Sequence, residues 1–268
     1  MTDDMHPREI ALQRAVATLC ITVLAIIYLA GYVQLHKLIS APQRNVASAQ
    51  LAGLAPVSTP GKLLYAPDVA LPAVQNGLAP AIARVPTHQP VVFLTIDDGV
   101  YKEPEAAAKM RAANIPATLF LTERYTIMAP GYFSNIVQQT GSRIENHTMT
   151  HKDLHLMSYQ NQKAEICQTN DIYAKVYGKR PTIFRPPYGN YNEDTQRAAA
   201  ECGMKALVIW HALVQNGAVE YQASSSLQPG DIVLMHFTSA FKQDLQAFIN
   251  ASKAAGLQPQ LLEDWFEK

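Results

Sequence analysis

Two adjacent carboxylates, Asp97 and Asp98, close the run Val91-Val-Phe-Leu-Thr-Ile-Asp-Asp-Gly99. Like charges side by side repel unless a cation or a shared proton separates them, so the pair points to a metal or to acid–base work. A second cluster is His147-Thr-Met-Thr-His151. Histidines four apart suit one side of a helical turn, from which two nitrogens can reach one ion. One carboxylate would complete a three-ligand set with an open position, an arrangement common in catalytic zinc sites and open to other divalent metals of similar size. Asp97 and Asp98 then divide two roles: one would ligate the ion and the other would take a proton from water. Two further stretches stand out, Arg185-Pro-Pro-Tyr-Gly189 and Leu234-Met-His236.

Each piece alone has an ordinary explanation. Asp-Gly is a turn pair, Pro-Pro-Tyr-Gly is a turn, and a lone histidine is usually structural. Their joint placement is what needs explaining. The apolar run 91–96 suits a strand buried on both faces, as in a parallel sheet. After it, the pattern predicts helices over 103–114, 131–139, 158–177, 193–202 and 240–255. Between them it predicts strands over 117–121, 143–146, 182–185, 206–210, 232–235 and 258–262. Alternating strands and helices imply a parallel sheet, closed as a barrel or open and doubly wound. On this reading every polar cluster falls at the C-terminal end of a strand, where a βα barrel assembles its active site.

Taken together and in this order, Thr95-Ile-Asp-Asp-Gly99, His147 to His151, Arg185 to Gly189 and Leu234 to His236 resemble motifs of the polysaccharide deacetylases with NodB homology, carbohydrate esterase family 4. The resemblance spans about residues 91–262. It implies an α/β fold, a distorted (β/α) barrel. It also implies metal-dependent removal of N-acetyl (or O-acetyl) groups from a cell-surface polysaccharide such as peptidoglycan or a chitin-type polymer. By the same resemblance Asp97 is the general base, and Asp98, His147 and His151 bind one divalent ion, zinc being the first expectation. Arg185 would hold Asp97, the backbone N–H of Tyr188 would stabilise the oxyanion, and Leu234 would line the pocket for the acetyl methyl. His236 would protonate the leaving amine, and Trp210 would wall the groove. One departure stands out: family members place acids after the fifth strand, and here Trp210 is followed by His211-Ala-Leu-Val-Gln-Asn-Gly217, with no acid before Glu220. The expected carboxylate partner of His236 is therefore missing. That departure motivates two alternatives, a catalytically weak or inactive glycan-binding protein on the same fold and a hydrolase of a small non-sugar amide.

The rest of the chain sets the context. Of 268 residues, 48% are hydrophobic, and Lys+Arg of 22 balance Asp+Glu of 22, which argues against nucleic acid as a partner. Residues 1–14 read as a polar leader and 15–33 as an uncharged apolar stretch long enough to span a membrane as a signal anchor. The Ala/Pro/Ser/Gln-rich residues 34–62 read as a flexible spacer, 63–90 as a lead-in segment and 91–268 as the catalytic domain. This predicts a single-pass protein of the cell membrane with its domain outside the cytoplasm, although Arg8 and Arg14 on one side nearly balance Lys37 and Arg44 on the other. Of the three cysteines, Cys20 falls in the apolar stretch. In an exported domain Cys167 and Cys202 are either one disulfide or two buried thiols.

Overall fold

The computed structural model describes residues 65–266, all within one compact unit, Ser58–Lys268. The expected leader, anchor and spacer, 1–62, lie outside the described residues. No helix among the described residues is long and apolar enough to cross a membrane.

In chain order the elements are β1 (Ala81–Ile82), β2 (Val91–Asp98), α1 (Ala106–Ala112), β3 (Thr118–Leu121), α2 (Glu123–Thr126), α3 (Pro130–Thr140) and β4 (Arg143–Asn146). They continue with α4 (Tyr159–Tyr177), α5 (Glu193–Glu201), β5 (Leu207–Val208), β6 (Ala212–Gln215), β7 (Ala218–Tyr221), β8 (Ile232–His236), α6 (Phe241–Ala254), β9 (Gln258–Gln260) and α7 (Glu263–Phe266). Single-turn 3-10 helices occur at Leu154–Leu156 and Pro187–Gly189. The main sheet runs β4-β3-β2-β8-β6-β7, with β9 added to β2, and β1 pairs with β5 in a second, two-stranded sheet. All these pairings are parallel except β6 with β7.

β2 is the central strand, and the reason is its apolar content. Val92, Leu94 and Ile96 face a layer with Met110, Leu119, Phe133, Met235 and Phe241. Val91 and Phe93 face the opposite side with Phe120, Ile183, Val208, Ile232 and Trp265. A strand with apolar neighbours on both faces needs a continuous apolar run. The same period of two carries Thr95 and Asp97 onto the side of Val91 and Phe93.

The distorted barrel that the resemblance implies is not closed as a continuous ladder. Where the sequence pattern predicts a strand over 182–185, only Phe184 pairs, through isolated bridges to Asn146 and Leu207 that join the two sheets. Pro181, Pro186 and Pro187 flank this stretch. Proline has no N–H to donate, so a longer ladder cannot grow there. Two other elements depart from the sequence pattern. Residues 212–221 form the β6–β7 hairpin, turned at Asn216-Gly217 with φ of 52° and 76°. Asn-Gly is the sequence signal for such a turn. The lead-in also contributes β1, which extends the second sheet.

Candidate metal centre and active site

The strand order brings the polar clusters to one edge. Asp97 and His236 are register partners on β2 and β8, and Asp98 is opposite Leu121, the last residue of β3. Asp97 is 2% exposed. Its Oδ1 accepts a hydrogen bond from Arg185 Nη1 at 2.7 Å, and its Oδ2 lies 3.6 Å from His147 Nε2. Arg185 is wholly buried. It donates further to Thr95 Oγ1 at 2.7 Å, Val208 O at 3.0 Å and Ile209 O at 3.1 Å. Burial lowers the guanidinium pKa and the Asp97 charge works against that shift. A buried arginine satisfied in this way fixes its carboxylate partner in place.

Asp98 has φ of 72°, off the strand geometry of β2. Its Oδ1 lies 3.1 Å from His151 Nε2 and 3.5 Å from His147 Nε2. Despite these neighbours, Oδ1 is buried and forms no hydrogen bond of good geometry. For His147 the ring's tautomer bears on this. His147 Nδ1 lies 2.8 Å from the carbonyl oxygen of Arg185, an acceptor, so Nδ1 carries the proton and a neutral ring turns the lone pair of Nε2 toward the carboxylates. A lone pair facing a carboxylate oxygen is repulsive without a cation between them. Burial would raise the Asp98 pKa, but the two histidines outweigh it and hold it well below the usual range. For His147 burial works downward, and Asp97 and Asp98 outweigh it and raise its pKa. One ligand atom from each of Asp98, His147 and His151 lies within 4.8 Å of the others. The donor set, two nitrogens and a carboxylate oxygen, fits a divalent ion of the zinc class.

The histidine segment is not the helical turn that spacing suggested. Thr148 and His151 have φ of 69° and 60°, and side chains take the N–H groups that a helix would use internally. The two rings still meet, with centroids 4.9 Å apart. Tyr188 also has positive φ, 62°. Its ring is 62% exposed and lies edge-on to His151 at 4.9 Å. Gly189 is required beside it: φ is 73° and an added Cβ would stand 3.0 Å from Trp210. The Trp210 ring thus lies under the Pro-Pro-Tyr-Gly turn, 5.8 Å from the Arg185 guanidinium. Leu234 is buried on β8, beside Thr95 on β2. His236 is half-buried, and among the described residues its ring has no hydrogen bond or ion pair. His211 is remote from it along the sheet, its N–H bonding Ile232 O at the other end of β8.

The site therefore unites Asp97, Asp98, His147, His151 and Arg185, with Tyr188 and Trp210 along one wall. Sequence reasoning missed Thr95, which shares a strand face with Asp97. It also missed Asn146 and Glu165, which hold the histidine segment from positions that no local spacing relates to it. Cys167 and Cys202 form a disulfide, with Cα atoms 5.0 Å apart, which ties α4 to α5.

Residues 84–207 match the family model for polysaccharide deacetylase. An uncharacterized protein of Streptomyces coelicolor is 40% identical over 159 residues, 58% of this chain and 63% of that protein's length. The structure of a peptidoglycan N-acetylglucosamine deacetylase in complex with 4-naphthalen-1-yl-N-oxidanyl-benzamide aligns at 25% identity with a TM-score of 0.61, covering 71% of this chain and 94% of that one. A carbohydrate esterase family 4 pseudoenzyme from Bacillus anthracis aligns at 19% identity with a TM-score of 0.59, covering 70% of this chain and 69% of that one, a likeness of fold. With the ordered motifs gathered at one sheet edge and the family model matching the strands that carry most of them, the resemblance of this chain to the polysaccharide deacetylases of carbohydrate esterase family 4 is supported by sequence and by fold alike.

Proposed function

We propose that the domain is a metal-dependent hydrolase that removes acetyl groups from an N-acetylated cell-surface polysaccharide, peptidoglycan being the first candidate. The observation that carries this reading is the buried Oδ1 of Asp98, without a hydrogen bond and faced by Nε2 of both His147 and His151, beside a second carboxylate held by a buried arginine. The peptidoglycan preference rests on the similarity to a peptidoglycan N-acetylglucosamine deacetylase.

In this reading Asp98, His147 and His151 would hold the ion, with zinc favoured by the donor set. Such an ion supplies a lowered pKa for water and positive charge against the developing oxyanion. Asp97, fixed by Arg185, takes the proton from the attacking water. The Tyr188 N–H donates to the carbonyl oxygen as its charge grows. Leu234 packs against the acetyl methyl. His236 gives a proton to the departing nitrogen, so that the C–N bond breaks as a C–O bond has formed, leaving acetate and a free amine. Trp210 supports the turn that carries Tyr188.

The same reading places the domain outside the cytoplasm on an N-terminal membrane anchor, 15–33. What supports that placement is the Cys167–Cys202 disulfide, a bond that persists in oxidising compartments.

The test is zinc content together with acetate release from peptidoglycan fragments and from acetylated chito-oligosaccharide. The wild type should show both, and His147→Ala should lose both. Full metal occupancy in His147→Ala would sink the ligand assignment. The unpartnered His236 favours a second reading, a glycan-binding protein of low activity. Bound metal and bound glycan without acetate release would decide for it, and acetate release from small amides alone would decide for a non-sugar hydrolase.

A further inference from the structure

The segment that carries both histidines is held by side chains. Four successive N–H groups, those of residues 148–151, each have a side-chain acceptor. Asn146 Oδ1 takes that of Thr148 at 2.8 Å, and Thr148 Oγ1 takes that of His151 at 3.0 Å. The two between go to one carboxylate: Glu165 Oε2 accepts from Met149 N at 3.0 Å and from Thr150 N at 2.8 Å. Glu165 Oε1 accepts from the Thr150 hydroxyl at 2.5 Å. Of these acceptors only Glu165 is distant in sequence, on α4, and it is buried. The residues at positive φ, Thr148 and His151, flank the part it holds. Such conformations are costly for residues other than glycine and persist only where the surroundings impose them.

Helix α4 is itself well fixed. Asn146 Nδ2 donates to Ile166 O at 2.8 Å and to Asn170 Oδ1 at 2.6 Å. Asn170 Nδ2 donates to Cys202 O at 3.1 Å, and Cys167, two residues beyond Glu165, is bonded to Cys202. The carboxylate thus reaches the segment from a rigid base.

We infer that Glu165 is a positioning residue of the metal centre: through its three hydrogen bonds it sets where His151 stands relative to His147 and so sets metal affinity. The inference rests on the metal reading above. It acts by hydrogen-bond geometry and not by charge, which gives a distinctive test. A glutamine can keep all three contacts, its carbonyl oxygen accepting from the two N–H groups while its amide donates to the Thr150 hydroxyl. An alanine keeps none.

The experiment is a calorimetric zinc titration of the full-length chain after metal removal, for wild type, Glu165→Ala, Glu165→Gln and Thr150→Val, with the Tm of each metal-free protein. Glu165→Ala should bind zinc about 10–100-fold more weakly, the range for losing a group that orients a ligand. Glu165→Gln should stay within about threefold of wild type, and Thr150→Val, which loses one contact of three, should fall between. Equal zinc affinity in wild type and a folded Glu165→Ala would overturn the inference, as would equal weakening in Ala and Gln variants. Should Glu165→Ala not fold, an unchanged affinity in Thr150→Val would overturn it in turn. A wild type with no zinc affinity would instead overturn the metal reading, and this inference with it.

Discussion

Asp97 and His236 face each other across neighbouring strands, and their surroundings differ. Asp97 is enclosed: Arg185 donates to it, Arg185 is anchored by Thr95 and two carbonyls, and the His147 ring closes the other side. His236 has the backbone of β8 beneath it, and its ring meets no partner among the described residues. In the proposed mechanism Asp97 is the base and His236 the acid, so the base half is fixed by buried charges while the acid half is held by the strand alone, and changes there are expected to alter rate and leave the fold intact. The difference teaches that one site can be tightly built on one side and adjustable on the other.

The most direct way to break this comparison is Arg185→Met. It leaves Asp97 buried without its counter-charge and should cost about 3–5 kcal/mol, read from urea unfolding, together with activity. A loss below about 1 kcal/mol would show that the base half is not held by the ion pair. Next in size is the disulfide that steadies α4 on the same side. Replacing Cys167 and Cys202 by alanine should cost about 2–4 kcal/mol, through the freed loop entropy of the unfolded chain. An unchanged Tm would show that packing between α4 and α5 suffices.

A third test lies away from the candidate metal centre, where no cation or substrate would complicate it. Glu145 on β4 and Glu263 on α7 are buried acids. Burial first, then the charge of Glu263, pushes Glu145 well above the usual carboxylate range, and burial lifts Glu263 to about 7. Folding therefore favours their protonated forms. That contribution is complete below about pH 4.5 and is lost as pH rises through about 7. Glu263→Gln should flatten this slope and add about 1–3 kcal/mol at pH 8 relative to wild type. An unchanged pH dependence of Tm would show that the pair does not govern it.

The smallest effect is expected on the acid half. Leu213 pairs with Leu234, so its side chain lies diagonal to His236 on the same sheet face. Leu213→Asp should supply the missing carboxylate and raise kcat up to about tenfold, or about 1.4 kcal/mol. Steady-state kinetics with unchanged kcat would show that this half works without a carboxylate.

The sequence by itself determined the central strand and the motifs that the fold gathers at one edge. The run from Val91 to Ile96 suits a strand buried on both faces, and a period of two then dictates where Asp97 points. The ordered motifs pointed to a metal because that chemistry is written in residue type: two histidines and a carboxylate suit a divalent ion whatever joins them. The hairpin at Asn216-Gly217 went unassigned in the strand-and-helix pattern, although that dipeptide favours the positive φ values seen there. What the tertiary structure alone decided is how these groups are held. The carboxylate of Glu165 reaches back to residues 149 and 150, and Arg185 reaches across to Thr95, because folding packs α4 and the 182–185 segment against the sheet. The open ladder at Phe184 and the pairing of Cys167 with Cys202 belong to the same class. Local preference acts over a few residues, whereas these contacts join positions that meet only when the core is formed.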